Sequence, residues 1–98
     1  AEEKFALSSQ LQRSAVSIPT NIAEGHGRKS TGAYLNHLSI ANGSLMEVET
    51  LVQVAARLEY LSPDQERSIL DSSDEIGKML SGLQKSLNPQ SSIRNPRA

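Results

Sequence analysis

Glu24, His37, Glu47 and Glu49 are the side chains whose types would suit acid–base or metal chemistry, and Arg28 and Lys29 those that would suit a phosphate. Di-iron helical bundles take a Glu-x-x-His from each of two helices. No Glu of this sequence precedes a His by three, and ten positions separate His37 from Glu47. On one helix that is about 15 Å, too far to share an ion. No metal and no cofactor is therefore expected. A small hydrolase or metal site built on Glu24 and Glu47 stands as an alternative, and it would need a pocket around both carboxylates.

The run "GHGRKS", residues 25 to 30, invites comparison with a phosphate loop. Such a loop needs a glycine immediately before its Lys-Ser and a strand ahead of it. Here Arg28 stands at that glycine position and a helical pattern precedes it. What survives is a weaker anion site. Arg28 and Lys29 lie where a helix N-terminus would present N–H groups and the positive end of its dipole. Arg13 is the third cation of this candidate anion- or nucleic-acid-binding set.

Gln10, Ser14, Ser17, Asn21 and Glu24 recur at spacings of four, three, four and three. That is one side of a helix. A solvated face would read this way. So would a polar seam in which Ser17, Asn21 and Glu24 meet Ser44 and Glu47 of a second helix. A network of that kind fixes helix register rather than doing chemistry.

Three helices are predicted to position these groups, over residues 2–24, 31–60 and 63–87. In the first, Leu7, Leu11, Ala15, Ile18 and Ile22 form one apolar stripe that keeps its phase across Pro19. A helix that ended at Pro19 would have no reason to keep it, so the expectation is a continuous helix kinked there. Gly25 suits the left-handed position that closes a helix, and Ser30 is a good N-cap for the next. The second helix carries two apolar seams. One is Leu38, Ala41, Leu45, Val48, Val52 and Ala55; the other is Ile40, Leu51, Val54 and Leu58, with Ser44 and Glu47 in the same row. A helix apolar on two sides has to be covered on two sides. "SPDQ" opens the third helix, with Ser62 as cap, Pro63 at the first helical position and Gln65 closing a capping box. Its seam is Ile69, Ile76, Leu80, Leu83 and Leu87. Residues 1–88 make one helical bundle domain. Residues 89–98 have almost no apolar content and are expected to be a disordered tail.

The bulk composition agrees. The chain of 98 residues is 37% hydrophobic and only 3% aromatic, so its core must come from Leu, Ile, Val and Ala. Ten cations against eleven anions leave a net charge of -1, with no global pull toward nucleic acid. There is no cysteine and so no disulfide framework. No apolar run approaches the roughly 18 residues of a membrane span. The expectation is a cytoplasmic protein without a membrane role, and an all-α, antiparallel up-down bundle.

Three stretches carry a family resemblance: "SQLQR" at Ser9–Arg13, "SIPTNIAEG" at Ser17–Gly25 and "IANGSLME" at Ile40–Glu47. Together they resemble the four-helix-bundle proteins encoded in bacterial 23S rRNA intervening sequences. That family includes the accessory variability protein of diversity-generating retroelements. The resemblance covers roughly residues 3–61. It implies a four-helix bundle once the family's first helix, ahead of Phe5–Leu11, is counted, and assembly of copies into a ring, typically a pentamer. It implies no catalysis and an unassigned molecular function. In the retroelement branch, which is strongly basic, it implies binding to nucleic acid and a protein partner. An RNA- or nucleoprotein-binding adaptor is accordingly the functional expectation, and a purely structural homo-oligomer is its rival.

Overall fold

A computed structural model describes residues 2–87. It contains α1 (Glu2–His26), α2 (Thr31–Arg57) and α3 (Pro63–Leu87), joined by short turns. The expected order and type of elements are all present, and the fold is all-α.

α1 runs unbroken through Pro19. Proline supplies no N–H to the Ala15 carbonyl. The neighbouring carbonyls gain side-chain donors instead: Thr20 Oγ1 donates to the Val16 carbonyl at 2.8 Å and Asn21 Nδ2 to the Ser17 carbonyl at 2.9 Å. Side-chain bonds of this kind to the carbonyl four residues back tend to bend a helix, and α1 nonetheless continues to His26.

Gly25 corrects one expectation. It does not close α1 in a left-handed conformation, because no described glycine has positive φ. It is helical and buried, and the helix continues to His26. Its missing side chain is used in another way. A Cβ built on Gly25 would lie 2.8 Å from the His37 Cβ and 2.9 Å from Tyr34 Cδ1. The last turn of α1 rests directly on α2 because nothing stands between them. The chain then turns with Arg28 N–H donating to the Gly25 carbonyl at 3.0 Å. Ser30 caps α2 as expected, its Oγ accepting from the Ala33 N–H at 3.1 Å.

α2 ends three residues earlier than the periodicity predicts. Tyr60 N–H donates to the Ala55 carbonyl and Glu59 N–H to the Ala56 carbonyl, at 2.9 and 3.0 Å. This is the paired closure of a Schellman motif, and Glu59 occupies its left-handed position with φ 65°. Glutamate replaces the usual glycine there, so the sequence showed no stop. Ser62 and Gln65 then form the reciprocal capping box of α3, at 3.1 and 2.8 Å.

α2 is the central element. α1 packs on one side of it and α3 on the other. Leu38, Ala41, Leu45, Val52 and Ala55 of its first seam are buried, and Val48 is half-buried. Ile18 of α1 and Leu80 of α3 join Leu38, Ala41 and Leu45 in the core cluster. The second seam stays outside: Ile40, Val54 and Leu58 are exposed and Leu51 half-buried. The Cα extents are 53 × 25 × 14 Å, so the molecule is a slab little thicker than one helix.

The strained cap generates a prediction. A non-glycine residue at left-handed φ costs about 1–2 kcal/mol, partly offset by the greater unfolded-state freedom of glycine. Glu59→Gly should therefore stabilise the chain by up to about 1 kcal/mol, read as a melting temperature raised by several degrees. An unchanged or lowered melting temperature would contradict the strain.

Candidate functional site

The polar row of α1 meets α2 along one seam. At its centre Ser44 Oγ donates to Ser17 Oγ at 2.8 Å. Asn21 Nδ2 donates to the same Ser17 Oγ at 3.0 Å. The amide nitrogen of Asn21 is thereby committed to Ser17, which turns its Oδ1 toward His37. Nδ1 of His37 lies 3.1 Å from that oxygen. An amide oxygen only accepts, so His37 carries a proton on Nδ1 and donates it.

Toward the N-terminal end of α1, Gln10 Nε2 donates to Glu47 Oε2 at 2.6 Å, and Arg13 Nη2 donates to Gln10 Oε1 at 2.7 Å. Arg13 Nη1 also donates to Ser9 Oγ at 2.9 Å. Gln10 thus links the Arg13 guanidinium to the Glu47 carboxylate. A single register pairs Gln10 with Glu47, Ser17 with Ser44 and Asn21 with His37.

Four of the five residues expected in the seam are there: Ser17, Asn21, Ser44 and Glu47. Glu24 is not. Its side chain is exposed and lies 4.0 Å from Arg28 as an i,i+4 ion pair. The reason is Gly25. With that residue against α2, the preceding position is about 100° round the helix and points outward. An exposed pair of this kind stabilises little. Glu24 also lies fourteen residues beyond Gln10 on α1, about 21 Å along the helix from the residue that holds Glu47. The two carboxylates do not share a site. Among the described residues no group of three His, Asp or Glu side chains could hold a metal ion. The groove between α2 and α3 is lined by residues such as Met46, Glu49, Ser73 and Lys78, away from Glu24, His37 and Glu47.

The three candidate anion ligands separate as well. Arg28 and Lys29 lie in the turn before α2, both exposed. Arg13 is mid-helix and engaged by Ser9 and Gln10. One copy of the chain does not bring it to the other two.

Two contacts went unseen in the sequence. His37 completes the seam, although only its spacing from Ser44, two turns along α2, could have pointed to it. Ser73 Oγ donates to Glu49 Oε2 at 2.5 Å and ties α3 to α2. Ser14 continues the polar row but enters the interior. It is 4% exposed, and its Oγ has no hydrogen-bond partner.

A family model described as 23S rRNA-intervening sequence protein matches residues 1–82. Among solved structures, the chain is similar to a protein of unknown function from the S23 ribosomal protein family of Bacteroides thetaiotaomicron VPI-5482. The two are 34% identical, with a TM-score of 0.81 over 87% of this chain and 79% of that one. Comparison with the curated proteins gives no match.

Ser14 and Asn21 occupy the same row with opposite hydrogen-bond states, and this separates their predicted effects. A buried hydroxyl without a partner costs about 1–3 kcal/mol, while a satisfied bond contributes about 1 kcal/mol. Ser14→Ala should be neutral or stabilising in urea unfolding. Asn21→Ala, which leaves His37 Nδ1 without its acceptor and removes one of the two donors to Ser17 Oγ, should destabilise by about 1–2 kcal/mol. Equal losses in the two variants would contradict the seam as described.

Proposed function

We propose that this chain, which belongs to the 23S rRNA-intervening sequence protein family, is a non-enzymatic helical scaffold that acts by associating with copies of itself. The observation that carries this reading is the second seam of α2. Ile40, Val54 and Leu58 are 44%, 41% and 46% exposed in one row of the central helix. Apolar rows of this kind mark association surfaces. The polar seam supports the same reading. Its members spend their hydrogen bonds on one another, which holds the two helices in register.

Light scattering at micromolar concentration tests it. The expected mass is a multiple of the 10.6 kDa chain. Val54→Asp with Leu58→Asp should return the monomer with its helical circular dichroism intact. A wild-type mass of one chain would contradict the proposal.

A second reading, an adaptor for RNA or a nucleoprotein, draws on Arg28 and Lys29 and on the family's description. Both cations sit at the turn that precedes α2, beside its N-terminus, and association would gather several such turns. Fluorescence anisotropy with RNA at about 50 mM salt should then show binding that falls steeply as salt rises. Arg28→Glu with Lys29→Glu should abolish it. No affinity at that salt removes this reading and leaves the scaffold.

Among the described residues no helix is long and apolar enough to cross a membrane.

A further inference from the structure

α1 also has an exposed apolar row, on the side turned away from α2. Phe5 and Val16 are 76% and 63% exposed, and Ala23 is exposed with them. The spacings are eleven and seven. In the second seam of α2, Ile40, Leu51 and Leu58 repeat the same spacings of eleven and seven. Both rows therefore fall on heptad positions, the periodicity at which two helices pack along a shared seam. Their charges are complementary. Arg13 borders the α1 row, and Glu47 stands within the α2 row.

We infer that the outer row of α1 in one copy of this chain packs antiparallel on the outer row of α2 in a second copy, with Arg13 meeting Glu47 of that copy. The pairing rests on the self-association proposed above and names its two surfaces.

The register follows from symmetry. Closed homo-oligomers are built by rotation. Rotation about an axis running along the helices leaves each residue at its own height. α1 of one copy then meets α2 of the next in the register that holds within the chain. Inside the chain Gln10 is level with Glu47 and Ser17 with Ser44. Arg13 is therefore level with the turn from Ser44 to Glu47. Phe5, five residues before Gln10, is level with Val54, and the apolar ends of the two rows coincide.

The hydrogen bonds already present prepare this contact. Arg13 is held by Ser9 and Gln10 through one N–H on each of two nitrogens. A guanidinium has five donors, so others remain for a carboxylate. Glu47 accepts from Gln10 at Oε2. Its Oε1 can accept from the guanidinium of the neighbouring copy.

The chain contains no cysteine, so introduced thiols are its only thiols. Phe5→Cys and Val54→Cys proteins, mixed and oxidised, should form a disulfide-linked heterodimer. Phe5→Cys mixed with Ile40→Cys should not. In the antiparallel register Ile40 lies about 20 Å along the helices from Phe5, far beyond disulfide reach. Arg13→Glu and Glu47→Arg should each weaken association at least about tenfold, since like charges in contact are strongly unfavourable. Mixing the two variants should restore it. If wild-type chains associate by light scattering but the Phe5–Ile40 mixture crosslinks as readily as the Phe5–Val54 mixture, this pairing is overturned while the scaffold reading stands. Failure of the mixed charge variants to associate overturns the Arg13–Glu47 contact. A monomeric wild-type mass overturns both the pairing and the association beneath it.

Discussion

The close approach of α1 to α2 is the constraint from which the rest of this structure follows. At one end Gly25 lies against Tyr34 and His37 with no room for a Cβ. Further along, two serine hydroxyls meet at 2.8 Å. Small residues allow the helices to come together, and hydroxyl and amide groups then fix their relative height. Apolar packing alone tolerates sliding by a heptad. A chain of donors and acceptors does not, because any slip strands several half-buried polar groups at once.

That register determines what each helix has left to offer. With its first seam committed to Ile18 and Leu80, α2 keeps Ile40, Val54 and Leu58 on the surface. With its polar row committed to α2, α1 presents Phe5 and Val16 outward. The slab is therefore apolar inside and carries two apolar rows outside. Arg13 borders the first row and Glu47 stands within the second, where such charges can select a partner and its alignment more than they add affinity.

Much of this is legible in the sequence. Stripes at helical spacing located α1, α2 and α3. Ser30 and the Ser62–Gln65 pair marked two helix starts, because capping depends on residues three apart in sequence. Four members of the seam could be read because they repeat at the helical period. The misreadings share a different cause. A glycine that ends a helix and one that lets two helices touch look the same in sequence, so the sequence does not separate the two roles of Gly25. Helical phase alone puts Glu24 in the seam, and the contact made by Gly25 turns it out. Glu59 gave no sign of a left-handed cap, since that conformation is imposed by the bonds of Tyr60 and Glu59 to Ala55 and Ala56. The His37 and Ser73 bonds join residues far apart in the chain, which no local pattern encodes. The tail expected at 89–98 lies outside the described residues.

The central claim is that Ser17 and Ser44 act as a pair to set helix register. A double-mutant cycle on Ser17→Ala and Ser44→Ala, read by urea unfolding, tests this most directly. Losing one hydroxyl takes from the other a bond it makes, whereas losing both removes a donor and an acceptor together. The cost of the double variant should therefore fall short of the combined single costs by about 1 kcal/mol, in the range found for residues in contact. Additivity within about 0.3 kcal/mol, as for distant sites, would contradict the claim.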